Sequence, residues 1–161
     1  MVASLFRDVQ LKAKIIGWGI IVIPLAVLAI LAATLLRPEP FDQRLVWGCY
    51  VADNAPALDI RKDAIHVIEP ARRTFSYIAE PSKTSFQLNV RPALKLTRQS
   101  NGHYKFSSTQ GVGFFWPLLP APGKNRDRVR HPTEYAGRIE VAATEGAVIY
   151  SRTSEVEACR G

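Results

Sequence analysis

Two cysteines, Cys49 and Cys159, are the residues whose chemistry is easiest to specify. They stand near the start and the end of the segment that follows a long apolar run. In an oxidising compartment such a pair joins the two ends of a domain, and closing a loop of this length stabilises it by about 4 to 5 kcal/mol in the chain-entropy account. The sequence predicts a Cys49–Cys159 disulfide; the alternative is two buried free thiols. The absence of a Cys-x-x-Cys motif argues against redox catalysis and a zinc knuckle.

The histidines do not form a recognisable site. His66, His103 and His131 each lack a second His, Cys or carboxylate at metal-ligand spacing on one element. No Gly-x-Ser-x-Gly motif or phosphate-binding glycine loop is present. The sequence therefore predicts no catalytic residue, no metal ligand and no cofactor, and we expect a protein that is not an enzyme.

The segment 111–131 combines apolar and basic side chains. An apolar wedge beside a basic cluster suits docking on an anionic membrane surface or on a partner protein. The alternative is a core strand followed by a solvated basic loop. We predict that the contact residues are Phe114, Phe115, Trp116, Leu118, Leu119, Lys124, Arg126, Arg128 and Arg130.

The elements that would position these residues are strands. From Leu45 onward, short segments with period-two alternation are separated by turn residues, among them Arg61–Asp63, Asn101-Gly102 and Glu145-Gly146. Pro92 predicts a bulge inside one long strand. Seven to nine strands and no long helical pattern predict a mainly β fold, an antiparallel meander closing into a barrel or sandwich. Predicted strands include 112–118, 137–143 and 147–153, with a loop over 117–132.

The start of this β segment resembles small envelope β-domains with lipocalin-like meanders. The resemblance rests on Trp47, Gly48 and Tyr50, followed by Pro56-Ala-Leu-Asp-Ile60 and a charged turn. It implies the fold class and no activity.

The longest uncharged stretch is residues 15–36, IIGWGIIVIPLAVLAILAATLL. At about 1.5 Å per residue a helix of this length reaches roughly 33 Å, enough to cross a hydrocarbon core of about 30 Å. The apolar part of a removable signal peptide is shorter, about 7 to 15 residues. We therefore predict a retained transmembrane signal anchor. A stripe of small residues along one face predicts helix packing through Gly19, Ala26, Ala29 and Ala33.

These patterns divide the chain into four parts: a short cytoplasmic tail (1–14), the transmembrane helix (15–36), a proline-rich juxtamembrane spacer (37–44) and an extracytoplasmic β-rich domain (45–161). Three basic residues precede the apolar run within the first fourteen residues and two follow it at a comparable distance, which favours a cytoplasmic N-terminus. The predicted location is a bacterial-type inner (plasma) membrane, single-pass, with the domain periplasmic or extracellular.

Residues after position 14 carry 18 basic and 13 acidic side chains, an excess that favours anionic surfaces. We expect a membrane or envelope protein as partner, anionic lipid as a further one, and no nucleic acid. The leading interpretation is a non-catalytic binding or accessory subunit at the membrane surface. One alternative is a lipocalin-like carrier of a small apolar ligand or lipid, with a cavity lined by Phe86, Leu88, Tyr104 and Phe106; another is an envelope hydrolase.

Overall fold

The computed structural model describes residues 18, 20–34, 40–69, 71–109, 114–124 and 127–160. The chain divides into two compact units, Met1–Pro38 and Glu39–Gly161. In the first unit residue 18 and residues 20–34 are helical, and every one of them is exposed. None of the helices in the described ranges is both long and apolar enough to cross a membrane.

The second unit consists of strands and three short 3-10 helices, Gln43–Val46, Pro132–Glu134 and Val156–Cys159. Turn residues separate most of the strands: Asp53-Asn54 after the first, Arg61–Asp63 after the second, and Asn101-Gly102 before the seventh. The strands are β1 (Gly48–Ala52), β2 (Ala55–Ile60), β3 (Ala64–Ile68), β4 (Arg73–Pro81), β5 (Phe86–Arg91), β6 (Leu94–Arg98), β7 (Tyr104–Ser108), β8 (Phe115–Pro120), β9 (Tyr135–Ala143) and β10 (Gly146–Thr153).

Eight of these strands close into an antiparallel barrel. The order is β10-β1-β2-β3-β4-β5-β8-β9, and β9 pairs with β10 from Gly146↔Ala143 to Ser151↔Arg138 to complete the ring. Alternate residues point inwards, as the burial of β3 and β5 shows, so one hydrophobic cluster fills the barrel. The fold is therefore mainly β, and the barrel rather than the sandwich is confirmed.

The β6–β7 hairpin, Leu94–Ser108, is inserted between β5 and β8 and stands outside the ring. Its strand pairing with the barrel sheet is a single parallel one, Leu96↔Ala143 on β9. Its inner face carries Leu94, Leu96 and Phe106, all buried, which lets it cover one end of the barrel. We call this covered end the upper end; the opposite end, where β1, β3, β5 and β9 begin, is the lower end.

The lower end is closed by the residues through which the chain enters the barrel. Phe41 packs on Phe86 with ring centroids 5.1 Å apart and on Tyr135 at 6.3 Å, and Val46 is fully buried. Arg152 on β10 crosses Gly48 and Gly137 and donates from Nη1 to the Leu45 carbonyl at 3.0 Å. A Cβ on Gly48 or Gly137 would lie 2.9 Å from the Arg152 side chain, and both glycines have positive φ, so glycine suits both positions.

The predictions for individual strands have mixed outcomes. The turns at Arg61–Asp63 and Asn101-Gly102 and the final hairpin are confirmed. The prediction of a bulge at Pro92 is wrong: β5 ends at Arg91 and the chain turns through Pro92 into β6, which leaves the ring. The strand predicted over 112–118 is Phe115–Pro120, and residues 111–113 lie outside the described residues. The predicted boundaries of the tail, span and spacer stay predictions.

Candidate functional site

The upper end contains a cleft of about 830 Å³, which we call the hairpin cleft. It lies between the tip of the β6–β7 hairpin, the β1–β2 turn and the segment that joins β3 to β4. Binding sites for small molecules are typically about 300 to 1,000 Å³, mostly apolar, with a few placed polar groups. The lining fits this description and comprises Asn54, Ala55, Pro56, Ile68, Glu69, Ala71, Arg73, His103, Tyr104 and Lys105.

A two-residue turn fixes one wall of the hairpin cleft. Asn54 has φ 55°, a left-handed conformation that asparagine tolerates better than most residues. Its carbonyl accepts a hydrogen bond of 2.7 Å from the Tyr104 amide at the start of β7. The hairpin is thus tied to the barrel rim beside the opening of the cleft.

An ion pair ties the hairpin to the opposite wall. Glu69 Oε2 lies 2.7 Å from Arg73 Nη2, and the two side chains are 10% and 32% exposed. Each partner also bonds the backbone of Phe106 on β7: Glu69 Oε1 accepts from its amide at 3.3 Å, and Arg73 Nη2 donates to its carbonyl at 2.9 Å. We call this arrangement the Glu69–Arg73 clamp. The clamp thus bonds both backbone groups of Phe106, the amide through Glu69 and the carbonyl through Arg73.

The residue held by the clamp, Phe106, also packs its ring into the barrel interior. Phe106 stacks on Trp116 and Tyr150 with ring centroids 5.9 and 6.4 Å apart. The Tyr150 hydroxyl donates to the Pro56 carbonyl at 3.0 Å. Burial, with a smaller contribution from the negative charge of Glu69, raises the pKa of Tyr150 well above its ordinary value. Tyr150 is therefore a neutral donor at physiological pH, and all three rings belong to the barrel core.

The lower end holds a different cluster, built from tyrosine hydroxyls. Tyr50 lies 2.8 Å from the Tyr135 hydroxyl and donates to the Val46 carbonyl at 2.8 Å. Tyr77 donates to the Arg61 carbonyl at 2.7 Å. Burial raises the pKa of all three phenols, that of Tyr77 to about 12. These hydroxyls are occupied in closing the barrel, so we assign them a structural role.

The predicted apolar wedge is mostly inside the protein. Trp116 and Leu118 are fully buried and Leu119 is 5% exposed, because β8 is a barrel strand. Phe114 is half-buried, and Phe115 alone of the five is strongly exposed, at 52%. The alternative of a core strand therefore describes most of this run. Phe115 is the exception, and its contact role stays a prediction.

The predicted basic cluster is also divided. Arg128 donates two hydrogen bonds, of 2.8 and 3.1 Å, to Glu140 on β9, which hold its guanidinium against the barrel. Lys124 and Arg130 are exposed, and Arg126 lies outside the described residues. Lys124 and Arg128 border a smaller cleft of about 390 Å³ on the side of the barrel. The contact role of these residues stays a prediction.

The disulfide prediction is confirmed: Cys49 and Cys159 are bonded, which joins β1 to the last 3-10 helix at the lower end. The predicted helix stripe is exposed at Ala26, Ala29 and Ala33, and Gly19 lies outside the described residues, so its packing role stays a prediction. Within the described ranges, no group of three or more His, Cys, Asp and Glu side chains is arranged to hold a metal ion.

The cavity expected for a carrier is placed differently. Phe86, Leu88 and Phe106 belong to the hydrophobic core, and only Tyr104 of the four expected residues lines the hairpin cleft. Sequence reasoning did not single out Glu69, Arg73 or Lys105. The charged pair four residues apart was visible, but nothing local shows that both members meet the backbone of Phe106, more than thirty residues later.

The fold and the cleft define a class: a closed, eight-stranded antiparallel barrel with a disulfide at one end and an inserted hairpin over the other. Comparison of the chain with protein-family models, with curated proteins and with solved structures finds no match in any of the three.

Proposed function

We propose that this protein is a membrane-anchored, non-catalytic binding protein that holds a small amphipathic molecule in the hairpin cleft. The observation that carries the proposal is the cleft itself: about 830 Å³, lined largely by apolar side chains, with a clamped ion pair on one wall. This combination favours capture of an apolar body with one polar end. It unites the binding interpretation with the carrier alternative, and the ligand sits at the barrel's end instead of along its axis.

The anchor is supported by the N-terminal segment. Residues 15–36 carry no charge, and the helical residues 20–34 expose large apolar side chains on all sides, for example Ile20 at 69% and Leu28 at 64%. Apolar surface of this extent is stable in lipid or against another apolar surface. We place the N-terminus in the cytoplasm and the barrel outside, where the disulfide would persist.

The ligand proposal is tested by photo-crosslinking. The full-length protein in phosphatidylcholine nanodiscs is exposed to a diazirine-bearing decanol, and the crosslinked residues are mapped by mass spectrometry. We expect labels on Ile68, Tyr104 or their cleft neighbours. Ala71→Trp should abolish them by filling the cleft, whereas the matched substitution Ala147→Trp, at an exposed position on β10 outside the cleft, should not. Labels confined to residues outside the cleft would remove the proposal.

The anchor is tested by carbonate extraction of membranes that contain the full-length protein. We expect the wild type to stay in the membrane fraction and the double variant Leu25→Lys, Leu28→Lys to be released, since a charge within the hydrocarbon core costs about 2.5 to 3.5 kcal/mol per residue. Ile78→Lys, at an exposed apolar position on the barrel, serves as the control and should remain bound. Release of the wild type would contradict the anchor.

A further inference from the structure

The ionised side chains of the hairpin cleft differ in what they offer a ligand. Glu69, Arg73 and Lys105 all line the cleft. The Glu69 side chain is 10% exposed, whereas Arg73 is 32% exposed and Lys105 is exposed. The charge that an incoming molecule can reach is therefore predominantly positive, although the cleft contains both signs.

Both oxygens of the Glu69 carboxylate accept a hydrogen bond. Oε2 lies 2.7 Å from Arg73 Nη2, and Oε1 accepts the Phe106 amide at 3.3 Å. A cationic head group at this carboxylate would compete with those donors and weaken the clamp that holds the hairpin. Removing one partner from a largely buried pair is destabilising, so the cleft disfavours cations.

Both cations belong to the lining of the cleft. Arg73 Nη2 donates to the Phe106 carbonyl at 2.9 Å, and Lys105 is the preceding residue on β7. His103 also lines the cleft and offers a ring N–H as a donor. A planar guanidinium and an ammonium that line one cleft are suited to carboxylate or phosphate oxygens.

Apart from Asn54, the remaining lining residues are apolar or aromatic. Ala55, Pro56, Ile68 and Ala71 come from the barrel rim, and Tyr104 closes the hairpin side. We propose that the ligand of the hairpin cleft is an anionic amphiphile, with its carboxylate or phosphate held by Arg73 and Lys105 and its acyl chain lying on the apolar wall. This inference rests on the proposed binding function and adds the chemical class of the ligand.

The test is competition between head groups on one chain length. Full-length protein in phosphatidylcholine nanodiscs is labelled with the diazirine-bearing decanol in the presence of decanoate, decyl phosphate, decyltrimethylammonium or unmodified decanol. Free concentrations are corrected for partition using empty nanodiscs. We expect decanoate and decyl phosphate to compete at least tenfold better than decanol, and decyltrimethylammonium to compete worst.

A charge reversal assigns the effect to the cleft. Lys105→Glu should weaken competition by decanoate by about tenfold, the size expected for reversing one charge next to a bound anion at a partly hydrated site. Lys83→Glu, an equal change at an exposed position of the β4–β5 loop at the lower end, should leave competition within twofold of the wild type. Decanol should compete equally well against all three proteins.

A second labelling experiment distinguishes whether the anion comes from the bilayer or from solution. Photoreactive phosphatidylglycerol placed in the nanodisc and photoreactive decanoate added from solution present the same chemistry from the bilayer and from water. Labelling of the cleft by either one supports the anionic class and identifies where the ligand comes from.

Two results would overturn the inference. In the first, decanoate and decanol compete equally well and Ala71→Trp blocks both. The cleft would then be a binding site without a preference for anions. Preferential competition by decyltrimethylammonium would reverse the assignment. Loss of all cleft labelling is a separate result, because it would remove the proposed binding function itself.

Discussion

The two ends of the barrel are closed in different ways. The lower end is filled by the entering 3-10 helix, the Phe41 ring, three tyrosines with hydrogen-bonded hydroxyls and the Cys49–Cys159 disulfide. At the upper end an inserted hairpin lies over the opening and leaves a cleft of about 830 Å³. The hairpin is held by the Glu69–Arg73 clamp, the hydrogen bond from the Tyr104 amide to Asn54, the stacked Phe106 ring and the Leu96↔Ala143 pairing. A barrel closed tightly at one end can keep an accessible site at the other.

This difference predicts that the largest single contribution to stability lies at the lower end and that binding takes place at the upper end. The largest effect should come from the disulfide. Cys49→Ala combined with Cys159→Ala should lower the free energy of unfolding by about 4 kcal/mol, because the bond closes a loop with a sequence separation of 110 residues. Urea unfolding of the full-length protein measures this. A reductant should shift the wild type to the same midpoint and leave the double variant unchanged, and equal stability with and without the bond would contradict the comparison.

At the upper end, the largest effect should follow truncation of the stacked ring. Phe106→Ala should cost about 3 to 4 kcal/mol, because Phe106 is 1% exposed and its removal leaves a cavity between Trp116 and Tyr150. The matched control is Phe115→Ala, at a ring that is 52% exposed, with an expected change below about 0.5 kcal/mol. Thermal or urea unfolding distinguishes the two variants; similar losses for both would mean that Phe106 does not join the hairpin to the core.

The next largest loss of stability should come from breaking the Glu69–Arg73 clamp. Glu69→Gln should lower stability by about 2 kcal/mol, since it leaves the Arg73 charge without its carboxylate at a partly buried site. The loss should be local, with faster hydrogen exchange at the Tyr104 and Phe106 amides and little change in β1 or β10. Glu145→Gln breaks an exposed pair with Arg98, in which the side chains are 62% and 54% exposed, and should change stability by less than about 0.5 kcal/mol. Uniform acceleration of exchange across the barrel would argue against a clamp confined to the hairpin.

The smallest effect concerns alkaline pH. Tyr77 has a pKa of about 12 in the folded protein against an ordinary value of 10.0, so the unfolded chain loses this proton first as the pH rises. Its contribution to stability is intact below pH 10 and is lost between pH 10 and 12, at about 1.4 kcal/mol per pH unit. Comparison of wild type and Tyr77→Phe at pH 9 and pH 11 by urea unfolding should show the variant losing about 1 kcal/mol less over this interval. Parallel losses would mean that Tyr77 titrates alike in both states.

Features encoded in neighbouring residues could be predicted from the sequence. The turns at Arg61–Asp63 and Asn101-Gly102, the final hairpin and the mainly β fold follow from local turn chemistry and period-two alternation. The disulfide followed from the position of the only two cysteines in the chain. The turns and strands depend on short local patterns, and the disulfide depends on there being no third cysteine with which either one could pair.

Features that depend on distant pairing could not be predicted. Alternation continues across Pro92, so the sequence does not show that β5 pairs with β8 while β6 leaves the ring. The same holds for the predicted wedge: the sequence left open whether Phe114 to Leu119 forms a contact surface or a core strand. The burial of Trp116, Leu118 and Leu119 depends on the pairing of β8 with β5 and β9 in the barrel. The hairpin cleft draws on three separate segments of the chain, and its charged wall exists only where Glu69 and Arg73 meet Phe106.

Hydrogen–deuterium exchange of the full-length protein in phosphatidylcholine nanodiscs, with and without saturating decanoate, tests the central claim most directly. We predict added protection in three segments, around Asn54–Pro56, Ile68–Arg73 and His103–Phe106, and no change around Tyr50, Tyr77 or the disulfide. Protection at the lower end, or none in the three segments while decanoate is bound, would contradict the account.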